Sequence, residues 1–178
     1  LKKFFTLLLT VFLLVFLGKT NFVFAASLPV NTGDINSFKL KSDSVQVVKY
    51  TNKNIRITKD DIYLMSQVVQ AESCGEPFEG KVAVASVILN RTVDSKFPNT
   101  IEQVIKEKGA FSCIDKYGNI NKIPDKNSYA AVMEALKGND PTNYSLFFYN
   151  PKIATCKWMK NVSKHNKKAI GNHVFFKI

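Results

Sequence analysis

Apolar positions change their period several times along this chain, and each change marks an element. Residues 4–17 form an almost unbroken apolar run behind Lys2-Lys3. Val23-Phe24-Ala25 then offers the short side chains that a signal peptidase reads, so residues 1–25 are expected to be a secretory signal cleaved after Ala25. The run is short for a membrane span. Residues 26–57 are polar, with β-like stretches at 45–50 and 55–57, and read as a linker or loosely packed N-terminal arm carrying at most a small hairpin. From Thr58 the period becomes helical. Thr58 is an N-cap with Asp60 and Asp61 in the first turn, and the helix stops at Gly75-Glu76-Pro77. A second helix spans 78–91, and its centre, 82–89, is apolar nearly all round, the mark of a buried central helix. Thr100 and Gln103 form a capping box opening a third helix that Gly109 ends. A fourth runs over 128–137 and stops at Gly138, a C′ glycine. Residues 146–149 and 173–176 are aromatic and β-prone, and Tyr117-Gly118-Asn119 reads as a turn between short strands. The fold class is therefore α+β: a helical body around a buried helix, with a small antiparallel sheet to one side. Residues 58–178, about 120 in all, suffice for one core.

Charge narrows the setting. The chain carries 25 Lys and Arg against 14 Asp and Glu, a net +11. Losing residues 1–25 removes three lysines and no acid, so the remainder is still strongly basic. Such a surface suits an anionic wall polymer or a membrane surface; with no recognition helix or nucleic-acid motif present, nucleic acid is not expected as a partner. The cysteines are Cys74, Cys113 and Cys156, an odd number. A Cys74–Cys113 bridge is compatible with the sequence but cannot be deduced from it. With no CxxC, no HExxH, and only His165 and His173, neither a metal nor a cofactor is expected.

The chemistry centres on Glu72. Ile62, Met65, Val69 and Glu72 recur at steps of three, four and three, which puts a carboxylate on the apolar stripe of the first helix. Partial burial raises a carboxyl pKa toward what a general acid near neutral pH requires. The plain alternative is a Glu at a frayed helix end with its head in water. Candidates for a second carboxylate are Glu76, Glu79, Asp94 and Asp115. Glu79, at the start of the buried helix, is the best placed of these, although a helix N-terminus alone would also account for it.

Several segments then converge. Ala71-Glu72-x-x-Gly75-Glu76-Pro77-x-Glu79-Gly80 precedes Val82-Ala83-Val84-Ala85-x-Val87-Ile88-x-Asn90-Arg91. Phe97-Pro98-Asn99-Thr100-Ile101, Gly109-Ala110-Phe111-Ser112, Phe148-Tyr149-Asn150-Pro151, Lys157-Trp158 and Ile170-Gly171-x-His173-x-Phe175 follow in order. The ordered set resembles the spore cortex-lytic cell wall hydrolases (the SleB/CwlJ group). The resemblance implies a lysozyme-like, lytic-transglycosylase-like fold, peptidoglycan glycan strands of the cortex as substrate, with muramic-δ-lactam as a recognition element, and Glu72 as the catalytic acid. A second carboxylate is then dispensable, because the 6-hydroxyl of N-acetylmuramic acid can attack its own anomeric carbon with the effective molarity of a tethered nucleophile. For holding the strand, Phe111, Tyr149 and Trp158 are candidate walls, Ser112 and Asn150 candidate polar contacts, and His173 a candidate orienting residue. Asn90 and Arg91 suit substrate or loop carbonyls equally. The chain is expected to act as a monomer, targeted by charge or by partner proteins of the spore coat or membrane. The competing readings are an N-acetylmuramoyl-L-alanine amidase, a muramidase, a cysteine peptidase using a Cys–His pair, and a non-catalytic wall-binding module.

Overall fold

The computed structural model describes residues 45–178; the expected signal segment and most of the polar arm lie outside the described residues. A hairpin of β1 (Gln46–Tyr50) and β2 (Lys53–Ile57) comes first. Helices α1 (Lys59–Glu72), α2 (Phe78–Val93), α3 (Ile101–Lys106) and α4 (Lys126–Leu136) follow. The chain ends in β3 (Phe147–Tyr149), the short α5 (Lys157–Asn161), β4 (His165–Ile170) and β5 (His173–Lys177). The second sheet is antiparallel, in the order β3-β5-β4.

The expected central helix is α2, buried from Gly80 through Thr92 and packed by α1, α3 and α4. Val84, Val87, Ile88 and Leu89 are fully buried, and each such side chain contributes roughly 1.5–3 kcal/mol. The polar end of α2 ties the other layers to it. Tyr50 Oη donates to Asn90 Oδ1 at 2.8 Å, while Asn90 Nδ2 donates to Asp140 Oδ2 at 2.9 Å and to Ser145 O at 3.0 Å. Arg91 Nε donates to Leu146 O at 2.8 Å, just before β3. Both α2 residues thus serve loop and hairpin groups.

Caps set the helix ends. Thr58 and Asp61 exchange the two bonds of a capping box, 2.8 and 3.0 Å, at the start of α1. The α4 helix starts at Lys126, two residues before the expected Ser128, because Asp125 is the cap and accepts from Ser128 N at 2.7 Å. It ends as expected, with Gly138 at φ +94° and the paired Gly138 N to Ala135 O and Asn139 N to Glu134 O bonds of a Schellman motif.

Some expectations are corrected. The hairpin is not loosely packed: Tyr50, Ile55 and Ile57 lie in the same core as α2. The α3 helix ends at Lys106, with Gly109 (φ +77°) in the following loop. The 115–119 turn is flanked by no strand; Asp115 Oδ1 accepts from Tyr117 N and Asn119 N, both at 2.8 Å, so the loop satisfies itself locally. The β4 strand was not legible, because its residues are mostly polar and exposed on a sheet edge. No described helix is long and apolar enough to cross a membrane.

Candidate active site

Glu72 is the last residue of α1, half-buried, below the fully buried Met65 and Val69 of its stripe. The helix end beneath it is firmly held. Ser73 caps it, its N–H bonding Val69 O at 3.0 Å and its hydroxyl donating to the same carbonyl. Lys81, a buried cation from α2, donates from Nζ to Ser73 O at 2.9 Å, which also opposes the negative end of the helix dipole. The carboxylate meets the loop that follows α3: Glu72 Oε1 accepts from Ser112 Oγ at 2.9 Å and from Cys113 N at 3.0 Å.

Beyond Glu72 the chain turns at Gly75 (φ +83°) and delivers Glu76, whose side chain is only 6% exposed. Its carboxylate is clasped by the β4–β5 turn, with Asn172 N donating to Oε2 at 2.9 Å and Asn172 Nδ2 to Oε1 at 3.1 Å. Next to it, His173 Nδ1 stands 4.0 Å from Glu76 Oε1 with no hydrogen-bond partner. The ring lies edge-on to Phe148, centroids 5.3 Å apart. Burial pushes Glu76 upward, but the backbone and side-chain donors of Asn172, with the charges of His173 and Lys81, outweigh it and hold the carboxyl below its ordinary 4.5. For His173, burial pushes the imidazole below 6.5 against the opposing pull of Glu76 and then Glu72.

Both depressed values have the same sign for stability. The unfolded chain takes up these protons at higher pH than the folded one. Stability present above about pH 6.5 is therefore lost as pH falls, first through His173 and then, below about 4.5, through Glu76. The thermal midpoint is expected to drop on acidification. In Glu76→Gln the lower part of that drop should shrink by the Glu76 contribution, leaving those of Asp115, Asp125 and Glu134, which hydrogen bonds also hold low; a pH–midpoint curve of unchanged shape would contradict the assignment.

The remaining candidates divide. Ser112 touches Glu72 directly. Phe111, 5% exposed, is a core ring beneath the site, 6.4 Å from Phe148 and covered by the Arg91 guanidinium at 5.0 Å. Burial lowers Arg91 to about 10, so it remains a cation among Phe97, Phe111 and Phe147. Tyr149 alternates with Phe148 along β3 and so points to the other face of the sheet, where it meets Phe176 and Lys164. Trp158 sits half-exposed on α5, edge-on to Phe147. Asn150 Oδ1 accepts from Lys152 N at 3.0 Å, closing a turn. Glu79 is exposed and lines a separate concavity with Val82, Glu134 and Pro141. Asp94 caps α2 and accepts from Lys96 N. The structure thus groups Glu72, Ser112, His173 and, of the second-carboxylate candidates, Glu76, and leaves Glu79, Tyr149, Asn150 and Trp158 outside that cluster. The partner of Glu76 lies 96 residues away, beyond any local pattern, so spacing along the chain does not single Glu76 out over Glu79.

A family model described as cell wall hydrolase matches residues 75–176. The chain belongs to the cell wall hydrolase family. The match contains Glu76, Ser112 and His173, and Glu72 lies three residues before it begins. Among curated relatives, the chain is 43% identical over 129 residues to a spore cortex-lytic enzyme of Bacillus cereus, covering 72% of this chain and 49% of the relative. It is 39% identical over 135 residues to that of Halalkalibacterium halodurans, covering 76% and 40%. The chain therefore spans about half, or less, of the length of these relatives. Among solved structures, the catalytic domain of Bacillus cereus SleB matches with a TM-score of 0.59 at 43% identity, over 67% of this chain and 91% of that one. The catalytic domain of the germination-specific lytic transglycosylase SleB from Bacillus anthracis matches with 0.62 at 42%, over 68% and 97%. The fold is the lysozyme-like one of these catalytic domains.

In this cell wall hydrolase the three cysteines are free, so Cys74 and Cys113 do not pair. Burial, and then the adjacent Glu72, push the Cys113 thiol up to about 12. It is a thiol, not a thiolate, at neutral pH and a poor nucleophile. Cys113→Ser is expected to retain wall-degrading activity, since Glu72 is held by the backbone N–H of residue 113; loss of activity together with rapid thiol alkylation at pH 7 would restore the cysteine reading. Among the described residues no group of three or more His, Cys, Asp or Glu could hold a metal ion.

Proposed function

We propose that this protein is an exported lytic transglycosylase that cleaves the MurNAc–GlcNAc backbone of peptidoglycan in the spore cortex during germination, with Glu72 as its single general acid/base. The observation that carries the reading is the hydrogen bonding of Glu72. Both donors, Ser112 Oγ and Cys113 N, go to Oε1, which leaves Oε2 as the oxygen to carry and deliver a proton. Glu76, the other carboxylate of the cluster, is committed to Asn172 and is not free to act as a nucleophile.

Glu72 protonates the glycosidic oxygen as the bond from the muramoyl C1 breaks. The 6-hydroxyl of the same muramoyl residue closes on C1 and returns its proton to Glu72. The product carries a 1,6-anhydromuramoyl end, and the enzyme is regenerated without a covalent intermediate. Similarity to the named spore cortex-lytic enzymes supports the substrate, and the hydrophobic segment at 4–17 supports export through the Sec pathway.

Mass spectrometry of digested cortex and vegetative peptidoglycan tests the reading. Anhydromuramoyl ends are expected. Reducing muramic ends would instead mean a muramidase, newly freed amino groups without anhydro ends an amidase, and binding without solubilisation a wall-binding module.

A further inference from the structure

The positive charge of this domain is segregated. Residues 45–140 hold thirteen basic and twelve acidic side chains, almost balanced. Residues 141–178 hold seven lysines and no acid: Lys152, Lys157, Lys160, Lys164, Lys167, Lys168 and Lys177. These residues build the β3-β5-β4 sheet and α5, so nearly all the net charge of the described domain sits on one structural unit. Among the described residues, none of the seven forms an ion pair with an Asp or Glu. Lys152, Lys157, Lys160 and Lys167 are exposed, and Trp158, between two of them in sequence, is 49% exposed. Lys164 and Lys177 lie over the rings of Tyr149 and Tyr144.

A concentration of like charge without internal compensation is unfavourable for folding and attracts a partner of opposite sign. The unit is continuous with the candidate active site: Lys152 Nζ donates to Asn172 Oδ1 at 3.3 Å, and Asn172 clasps Glu76. The positive surface therefore reaches the edge of the site at Lys152. All seven cations are lysines, dispersed point charges without the bidentate fork of arginine. That pattern suits separate single carboxylates along a flexible polymer better than a fixed phosphate. Exposed indole beside ammonium groups fits a sugar ring whose attached peptide carries the acid.

We infer that the sheet–α5 unit is a docking surface for peptidoglycan, where its lysines engage the free carboxylates of stem peptides on the strand being cut. The inference rests on the proposed peptidoglycan substrate and adds where the acidic groups of that substrate bind.

The test measures binding of the full chain carrying Glu72→Gln to purified sacculi, alone and combined with Lys152→Gln, Lys157→Gln, Lys160→Gln and Lys167→Gln. At low ionic strength the four lysine changes should weaken binding by about tenfold or more and flatten its dependence on salt. Thermal midpoints should stay close, since all four side chains are exposed. Carbodiimide amidation of the sacculi should produce the same loss without any mutation, and removal of teichoic acids with hydrofluoric acid should not. Equal binding by the lysine variant overturns the inference. So does a loss that follows teichoic-acid removal, or a preference for phosphatidylglycerol vesicles over sacculi. Solubilisation of the sacculi by Glu72→Gln would instead count against the catalytic assignment, and is read separately from binding.

Discussion

Glu72→Gln is expected to lower release of peptidoglycan fragments by about 10²–10⁴-fold, the range that a positioned general acid/base supplies, with the fold intact. The amide oxygen of Gln can still accept from Ser112 Oγ and Cys113 N, and the stripe residues Met65 and Val69 below it do not change. What disappears is the carboxyl group that the proposed mechanism uses to deliver and take back the proton. In the proposed mechanism the same group acts as acid in one step and base in the other, and Glu76, already bound to Asn172, is not placed to compensate. Fragment release is measured against the thermal midpoint of the same preparation. Near-normal release with an unchanged midpoint would remove Glu72 from the mechanism.

Gly171→Ala should have the largest effect on stability of the changes considered, and should also reduce activity. Gly171 has φ +60°, where a Cβ costs about 1–2 kcal/mol. That Cβ would also collide with Glu76 Oε2 and stand 2.9 Å from Pro77 Cδ. Relief requires Glu76 to leave its clasp and the 75–77 loop to shift, adding overpacking of about 1–3 kcal/mol. The total, about 2–5 kcal/mol, corresponds to a fall in midpoint on the order of 10 °C for a domain of this size. Gly118→Ala is the control, since its φ of +83° is equally left-handed but its Cβ would meet nothing within 4 Å. If both changes cost the same, the steric part of the argument is wrong. Glu76→Ala combined with Gly171→Ala should cost less than the sum of the two, because the clash has one partner removed.

The elements most legible beforehand were those set by local rules. Thr58 with Asp61, and Gly138 after α4, stand where side-chain and backbone hydrogen bonds close within a few residues. The apolar centre of α2 was readable because a helix without a polar face has to be interior. Reading failed where stabilisation is non-local. The lysine-rich β4 has no apolar signature and exists because β5 pairs with it. The hairpin β1–β2 looked like a tether, yet Tyr50 reaches Asn90 forty residues on. Tyr149 is a candidate wall by residue type, but strand alternation sends it to the face of the sheet opposite Phe148 and His173.

The sequence by itself determined the helical body, its buried axis, the family resemblance and the unusual position of Glu72 on an apolar stripe. Each follows from spacing along the chain or from an ordered motif. Only the tertiary structure decided what surrounds that carboxylate. It brought Ser112 and Cys113 to Oε1, selected Glu76 over Glu79 as the neighbouring buried acid, and set His173 beside it. The physical reason is that a buried carboxylate needs hydrogen-bond donors to offset its desolvation, and for Glu76 those donors come from the β4–β5 turn, far along the chain and close only after folding.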